Sequence, residues 1–168
     1  MFVFFISHFV PLVAQRTIII MLKLSKILLF FFQLSVISIL SEYSLGIKDS
    51  FMIAHSFKGK EFGPAQALHG ATYTVDVEFI TSSLEKDLNW VIDIGQASNI
   101  LSSVLSKYNF KNLDEIFPED NTTTEFMCKL LHKDLSSYLL KEKCFKGTLK
   151  VKLWESHKAW ATYSKLVK

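Results

Sequence analysis

The 168-residue sequence predicts an α+β domain, an antiparallel four-stranded sheet with two helices packed on one face. Three observations carry that expectation. Two long segments alternate apolar and polar residues, two later segments repeat apolar residues at i, i+3 and i+4, and the chain closes on a further alternating pair. A layer of helices over one face of a sheet buries all of these apolar rows at once.

The first strand is EYSLGIKDSFMIAHSF, with Phe51, Ile53, His55 and Phe57 on one face. The loop KGKEFGPAQAL, rich in Gly and Pro, leads to HGATYTVDVEF. Here His69, Ala71, Tyr73, Val75, Val77 and Phe79 share an apolar face, and Thr72, Thr74, Asp76 and Glu78 a polar one. The two segments form a long hairpin with a large connection. NWVIDIG reads as a short strand ending in Asp93, feeding a helix whose stripe is Ala97, Ile100, Leu101, Val104 and Leu105. In NTTTEFMCKLLHKDLSSYLLKE, Thr122 followed by Glu125 forms a capping box. Phe126, Leu130, Leu131, Leu135, Tyr138 and Leu139 make the apolar face of that second helix. FKGTLKVKLWESH alternates again, Leu149, Val151 and Leu153 inward and Lys150 and Lys152 outward, with Glu155 and His157 continuing the inward row. KAWATYSKLV completes a closing hairpin.

Residues 1–41 differ in character from 42–168. Arg16, Lys23 and Lys26 are the only charged residues before Glu42, so the net charge of +3 belongs to this leader and the remainder is balanced. No basic stripe remains to follow a phosphate backbone, which excludes nucleic acid as the expected partner. After Lys23 and Lys26 comes an apolar block, Ile27 to Leu40, of about 14 residues, short of the roughly 20 that span a bilayer. Three readings stand side by side: a signal peptide, a short membrane anchor, or an extension that does not fold with the domain. A membrane is a partner only if the leader is retained. The two cysteines, Cys128 and Cys144, lack any CxxC spacing and read as inert thiols, consistent with a cytoplasmic protein.

Taken as residues alone, His55 and His69 are histidines at the edge of a core, Thr122 to Glu125 a helix start, Glu155 a strand-end charge and His157 a histidine in a turn. In this order, AHSF, LHGATY, WVIDIG, NLDEI, TTTEF and LWESHKAWATY resemble the 6-pyruvoyl-tetrahydropterin and 6-carboxytetrahydropterin synthase family. The likeness spans nearly everything from Glu42 to Lys168. It implies the tunnelling fold, in which such units assemble into an oligomeric barrel, hence a homo-oligomer with active sites at subunit interfaces and a pterin as the small-molecule substrate.

The resemblance also implies a zinc ion. Members of the family hold it with one histidine on the first strand and two in an HGH on the second; here His55 and His69 fill two places and Ala71 stands in the third. The usual cysteine before HGH has no counterpart in GPAQALHG, where Ala65 stands nearby, and the usual Asp-His pair before NLD appears as Asn109 and Phe110. Thr123, Thr124 and Glu125 match the threonine-rich helix start, and Glu155 matches the glutamate that binds the pterin ring. A pterin presents a ring N–H beside an amino group, and one carboxylate accepts both. His157, two residues beyond Glu155, is the candidate for a catalytic base or a replacement ligand, with Glu61 a weaker one. The activity implied is a 6-carboxytetrahydropterin synthase-like, zinc-dependent lyase acting on 7,8-dihydroneopterin triphosphate, of the kind serving queuosine-type deazapurine synthesis. The alternatives are a pterin-binding or assembly protein without the chemistry, and a dihydroneopterin-cleaving enzyme of folate synthesis.

Overall fold

A computed structural model describes residues 21–23, 25–26 and 42–168. The apolar block Ile27–Leu40 lies outside the described residues. Among those described, no helix is long and apolar enough to cross a membrane.

Alternation decides the first layer. β1 (Tyr43–His55) and β2 (His69–Thr81) are 13 residues each and pair antiparallel along their full length. β4 (Gly147–Trp154) adds to β2, and β5 (Trp160–Val167) to β4. The inner rows are Phe51 and Ile53, Tyr73 to Phe79 at every second residue, and Leu149, Val151 and Leu153, all buried. Gly147 opens β4 at φ 154, where an added Cβ would stand 2.3 Å from the Ile80 carbonyl oxygen, so only glycine permits that strand to start so close to β2.

The sheet has five strands, one more than the four expected. The addition is β3 (Lys111–Asn112), two residues that pair parallel with Ile53 and Ala54, giving the order β3-β1-β2-β4-β5. Two residues are too few to show an alternating pattern. NWVIDIG, expected as a strand, is an irregular connection that follows a turn and whose last two residues, Ile94 and Gly95, already belong to the next helix. Its backbone groups are used locally, Glu85 N–H donating to Trp90 O at 2.9 Å and Asn89 N–H to Glu85 O at 3.0 Å, while Asp87 and Asn89 take positive φ.

The helical layer is α1 (Ile94–Leu105), the single turn α2 (Leu113–Ile116) and α3 (Thr124–Glu142). Asp93 caps α1 by accepting from Gln96 N–H at 2.7 Å, and the expected stripe, Ala97 to Leu105, is buried. α3 starts one residue later than the capping box placed it. Thr123 is the N-cap, accepting from Phe126 N–H at 3.3 Å, which frees Thr122 for another partner. α3 buries Met127, Cys128, Leu131, His132, Leu135 and Leu139, with Phe126, Leu130 and Tyr138 half-buried beside them. The Cys128 thiol donates to Ala161 O at 3.3 Å, and burial pushes it up to about 11, so it is an inert core group.

His132 is a buried histidine of this helical layer. Its Nε2–H donates to Lys165 O at 3.3 Å, its Nδ1 accepts from the Ser136 hydroxyl at 3.3 Å, and its ring meets Tyr163 edge-on. Burial lowers its pKa below the ordinary imidazole value. The unfolded chain then takes up its proton first as the pH falls, so stability is full above about pH 6.5 and declines from there down to the folded-state value. In urea titrations at pH 7.5 and 5.5, His132→Gln should reduce the difference in stability between the two conditions, each such histidine contributing at most about 1.4 kcal/mol per pH unit. An unchanged difference would show that His132 titrates alike in both states.

Candidate functional site

The end of β1 and the start of β2 meet as a direct cross-strand pair, His55 opposite His69. Both point to the inner face because both are in phase with the buried rows of their strands. The rings are 4.6 Å apart between centroids. His55 is fully buried and His69 half-buried. Phe57 closes the apolar side, its centroid 4.6 Å from that of His55 and 5.7 Å from that of His69, and Phe62 backs it at 4.8 Å.

Each histidine is held through the same atom. Nδ1 of His55 lies 3.2 Å from both the carbonyl and the hydroxyl oxygen of Thr122, and Nδ1 of His69 lies 2.8 Å from Ala67 O. A carbonyl only accepts, so in both rings Nδ1 carries a hydrogen. Nε2 of His55 is buried with no partner, and so is the hydroxyl of Tyr73, four residues along β2 from His69. Burial, then the charge of His69, hold the His55 pKa below the imidazole value, which keeps the ring neutral near pH 7.

The opposite wall comes from the start of α3 and the end of β4. The Thr124 hydroxyl donates to Oε2 of Glu155 at 2.8 Å, and the carboxylate is near enough to act on the charge of His55. Glu155 itself follows the last residue of β4. Its N–H and that of Ser156 donate to Ala159 O, so the chain turns there and the alternation stops. That is why Glu155 and His157 are both exposed in the turn and neither continues the inward row. On the outer face the Trp154 indole N–H donates to Asp76 at 2.6 Å, and Lys152 lies over the Trp154 and Trp160 rings.

The structure therefore brings together His55, His69, Thr124 and Glu155. Thr123 is beside them with its hydroxyl used as the cap, while Glu125 and Glu61 are exposed. Asn109 and Phe110 serve the edge of β1: Met52 N–H donates to Asn109 Oδ1 at 2.9 Å and Phe110 N–H to Met52 O at 2.7 Å. The Phe110 side chain is 76% exposed, on a backbone at φ 58. Two contributors went unseen in the sequence, Thr122 as the anchor of His55 and Tyr73 as an unpartnered hydroxyl; the TTTE run signals a helix start without saying which threonine caps it. A cleft of about 520 Å³ lined by Tyr43, Trp90 and Ile92 lies at the far end of β1 and includes none of these residues.

Imidazoles held through Nδ1–H on carbonyls leave Nε2 as the nitrogen a zinc ion would meet, and Nε2 of His55 has no other partner. They fit as two ligands. Among the described residues no group of three His, Cys, Asp or Glu is placed to hold a metal, so the pair stands without a third protein donor.

Residues 44–165 match the sequence profile of the family described as 6-pyruvoyl tetrahydropterin synthase. Among solved structures, the 6-pyruvoyl tetrahydropterin synthase of Caenorhabditis elegans aligns with a TM-score of 0.65 at 24% identity, over 74% of this chain and 96% of that one. The enzyme of the same name from Plasmodium falciparum aligns at 0.60 and 17% identity, over 76% and 99%. A Plasmodium vivax form, described as a catalytic residue mutant, aligns at 0.56 and 16% identity, over 76% and 99%. No curated protein matches the chain in sequence. The solved structures share the fold, the profile covers most of the chain, and the chain belongs to the 6-pyruvoyl tetrahydropterin synthase family.

Proposed function

We propose that the chain is a tetrahydropterin synthase-type lyase that takes 7,8-dihydroneopterin triphosphate, in the manner of the 6-carboxytetrahydropterin branch that serves queuosine-type deazapurine synthesis. The observation that carries this is the Thr124–Glu155 hydrogen bond, which sets a carboxylate beside the paired histidines. Glu155 accepts the ring N–H and amino group of the pterin in a fork, while Thr124 fixes its orientation. Thr123 and Glu125 offer the other ring edge the start of α3, where the first N–H groups of the helix point outward. His55 and His69 would hold zinc through Nε2, and the metal when bound polarises the oxygens of the substrate side chain. His157, in the turn after Glu155, is the candidate to move a proton. Domain boundaries of 1–41 and 42–168, a cytoplasmic location and a homo-oligomer with sites at subunit interfaces complete the proposal. For the oligomer, the support is the open edge of β1, paired with β3 only at Ile53 and Ala54, and that of β5.

A second reading is favoured by one observation. Asn109 and Phe110, in the place of the Asp-His pair, are committed to Met52 and to solvent, which suits a pterin-binding protein without the chemistry.

Incubation of the purified protein with dihydroneopterin triphosphate, with and without zinc, followed by identification of the products, separates the two. Turnover to a 6-substituted tetrahydropterin supports the lyase; binding without turnover supports the second reading. Glu155→Gln replaces a charged double acceptor with one acceptor and one donor, a loss of roughly 1.5 to 3 kcal/mol. Pterin affinity measured by fluorescence quenching should fall by about tenfold or more with the melting temperature unchanged, and unaltered affinity would remove Glu155 from the site. His157→Ala should retain pterin binding and lose most turnover, with the acid limb of the rate profile altered. A full-rate His157→Ala protein would leave proton transfer to another group.

A further inference from the structure

We infer that Tyr73 is a positioning residue for Glu155: its phenol donates to the Thr124 hydroxyl when a pterin is seated, closing a chain of donors that runs from the core to the carboxylate. The inference rests on the pterin reading above and goes beyond it, because it assigns the orientation of Glu155 to a fully buried side chain that acts on the ring only through Thr124.

Register places the three residues together. The β2–β4 ladder ends at Thr74 opposite Trp154, so one step further along, the residues in register are Tyr73 and Glu155. Thr124, in the first turn of α3, is 8% exposed, and its hydroxyl donates to Oε2 of Glu155 at 2.8 Å. Tyr73 packs against Phe51, its partner across β1, at 5.5 Å between ring centroids, and meets the His55 ring edge-on at 6.3 Å. Its hydroxyl is buried with no partner. Burial raises the pKa of the phenol, Thr124 lowers it and the charge of Glu155 raises it again, so both groups stand close to that hydroxyl.

Donor chemistry gives the chain its direction. A carboxylate only accepts, so Thr124 directs its single hydrogen to Glu155 and keeps lone pairs for a donor of its own. The phenol has one hydrogen to give, and a hydroxyl buried without a partner destabilises the fold, which makes Tyr73 that donor. Glu155 is exposed in the turn after β4, where the bond to Ala159 O holds its backbone and not its carboxylate. Bonds polarised in one direction strengthen one another, so fixing the Thr124 hydroxyl from behind fixes the carboxylate in front of it. The other buried atom without a partner, Nε2 of His55, is the competing acceptor for the phenol.

Fluorescence quenching would give the affinity of the full chain for 7,8-dihydroneopterin, and thermal melts of the same unliganded proteins would be recorded beside it. Tyr73→Phe keeps the ring and removes the hydroxyl. It should weaken binding by about three- to tenfold, with a melting temperature that holds or rises, because the unliganded chain loses no bond. Thr124→Val and Glu155→Gln should each erase this effect, so that adding Tyr73→Phe to either weakens binding no further. Thr124→Ser, which restores the hydroxyl, should bind more tightly than Thr124→Val and bring the Tyr73→Phe loss back. A Tyr73→Phe protein that binds as tightly as the unaltered one, a loss that persists in the Thr124→Val or Glu155→Gln background, or a melting temperature that falls together with the affinity overturns the inference while leaving the pterin reading intact. Persistence in Thr124→Val would be the mark of a phenol bonded to His55. Failure of the unaltered protein to bind dihydroneopterin overturns both.

Discussion

The full-length antiparallel register of β1 and β2 is the constraint on which the rest of the molecule depends. Because Tyr43 opposes Thr81 at one end, His55 must oppose His69 at the other. The register is held by Phe51, Ile53, Tyr73, Val75, Val77 and Phe79, whose burial a one-residue slip would reverse by turning every inward side chain out to water. The histidine pair is thus a consequence of a core many residues long. The imidazoles are placed by packing done elsewhere, so their position costs the site little.

The second wall is fixed with the same economy. Leu149, Val151 and Leu153 lock β4 against β2, and the strand delivers Glu155 at its end. The buried face of α3 sets the start of that helix over the same corner, so that Thr122, Thr123 and Thr124 divide three tasks between them. Thr122 anchors His55, Thr123 caps the helix and Thr124 bonds Glu155. Three identical side chains acquire different partners because successive residues at a helix start point in different directions.

Much of this was legible in the sequence, and the division between what was and what was not has a physical cause. Period-two alternation identified β1, β2, β4 and β5 and the side to which His55 and His69 face, since burial of one face of a strand leaves a direct record in residue type. The α1 stripe was legible for the same reason at period 3.6. β3 was not, because two residues record no period, and NWVIDIG imitated a strand because Val91 and Ile92 are apolar for the sake of the core while their backbone turns. The cap slipped by one residue because Thr122 and Thr123 are the same side chain, and only the buried partner of Thr122 tells them apart. His157 was read as inward by extending the β4 alternation past Trp154, where the backbone bonds to Ala159 O end it.

Of the residues that depart from the family pattern, Ala65 and Phe110 lie on connections, the Asn109 side chain accepts from the backbone of Met52, and Ala71 is a half-buried residue packed against the rim of the core at the sheet end. Of the residues that match the pattern, His55 is buried and bonded to Thr122, and removing its ring would leave Thr122 and Phe57 facing a void. A fold of this kind holds its recognition groups where packing holds its strands. In this chain the corner where His55, His69, Thr124 and Glu155 meet is therefore set by the same contacts that set the sheet.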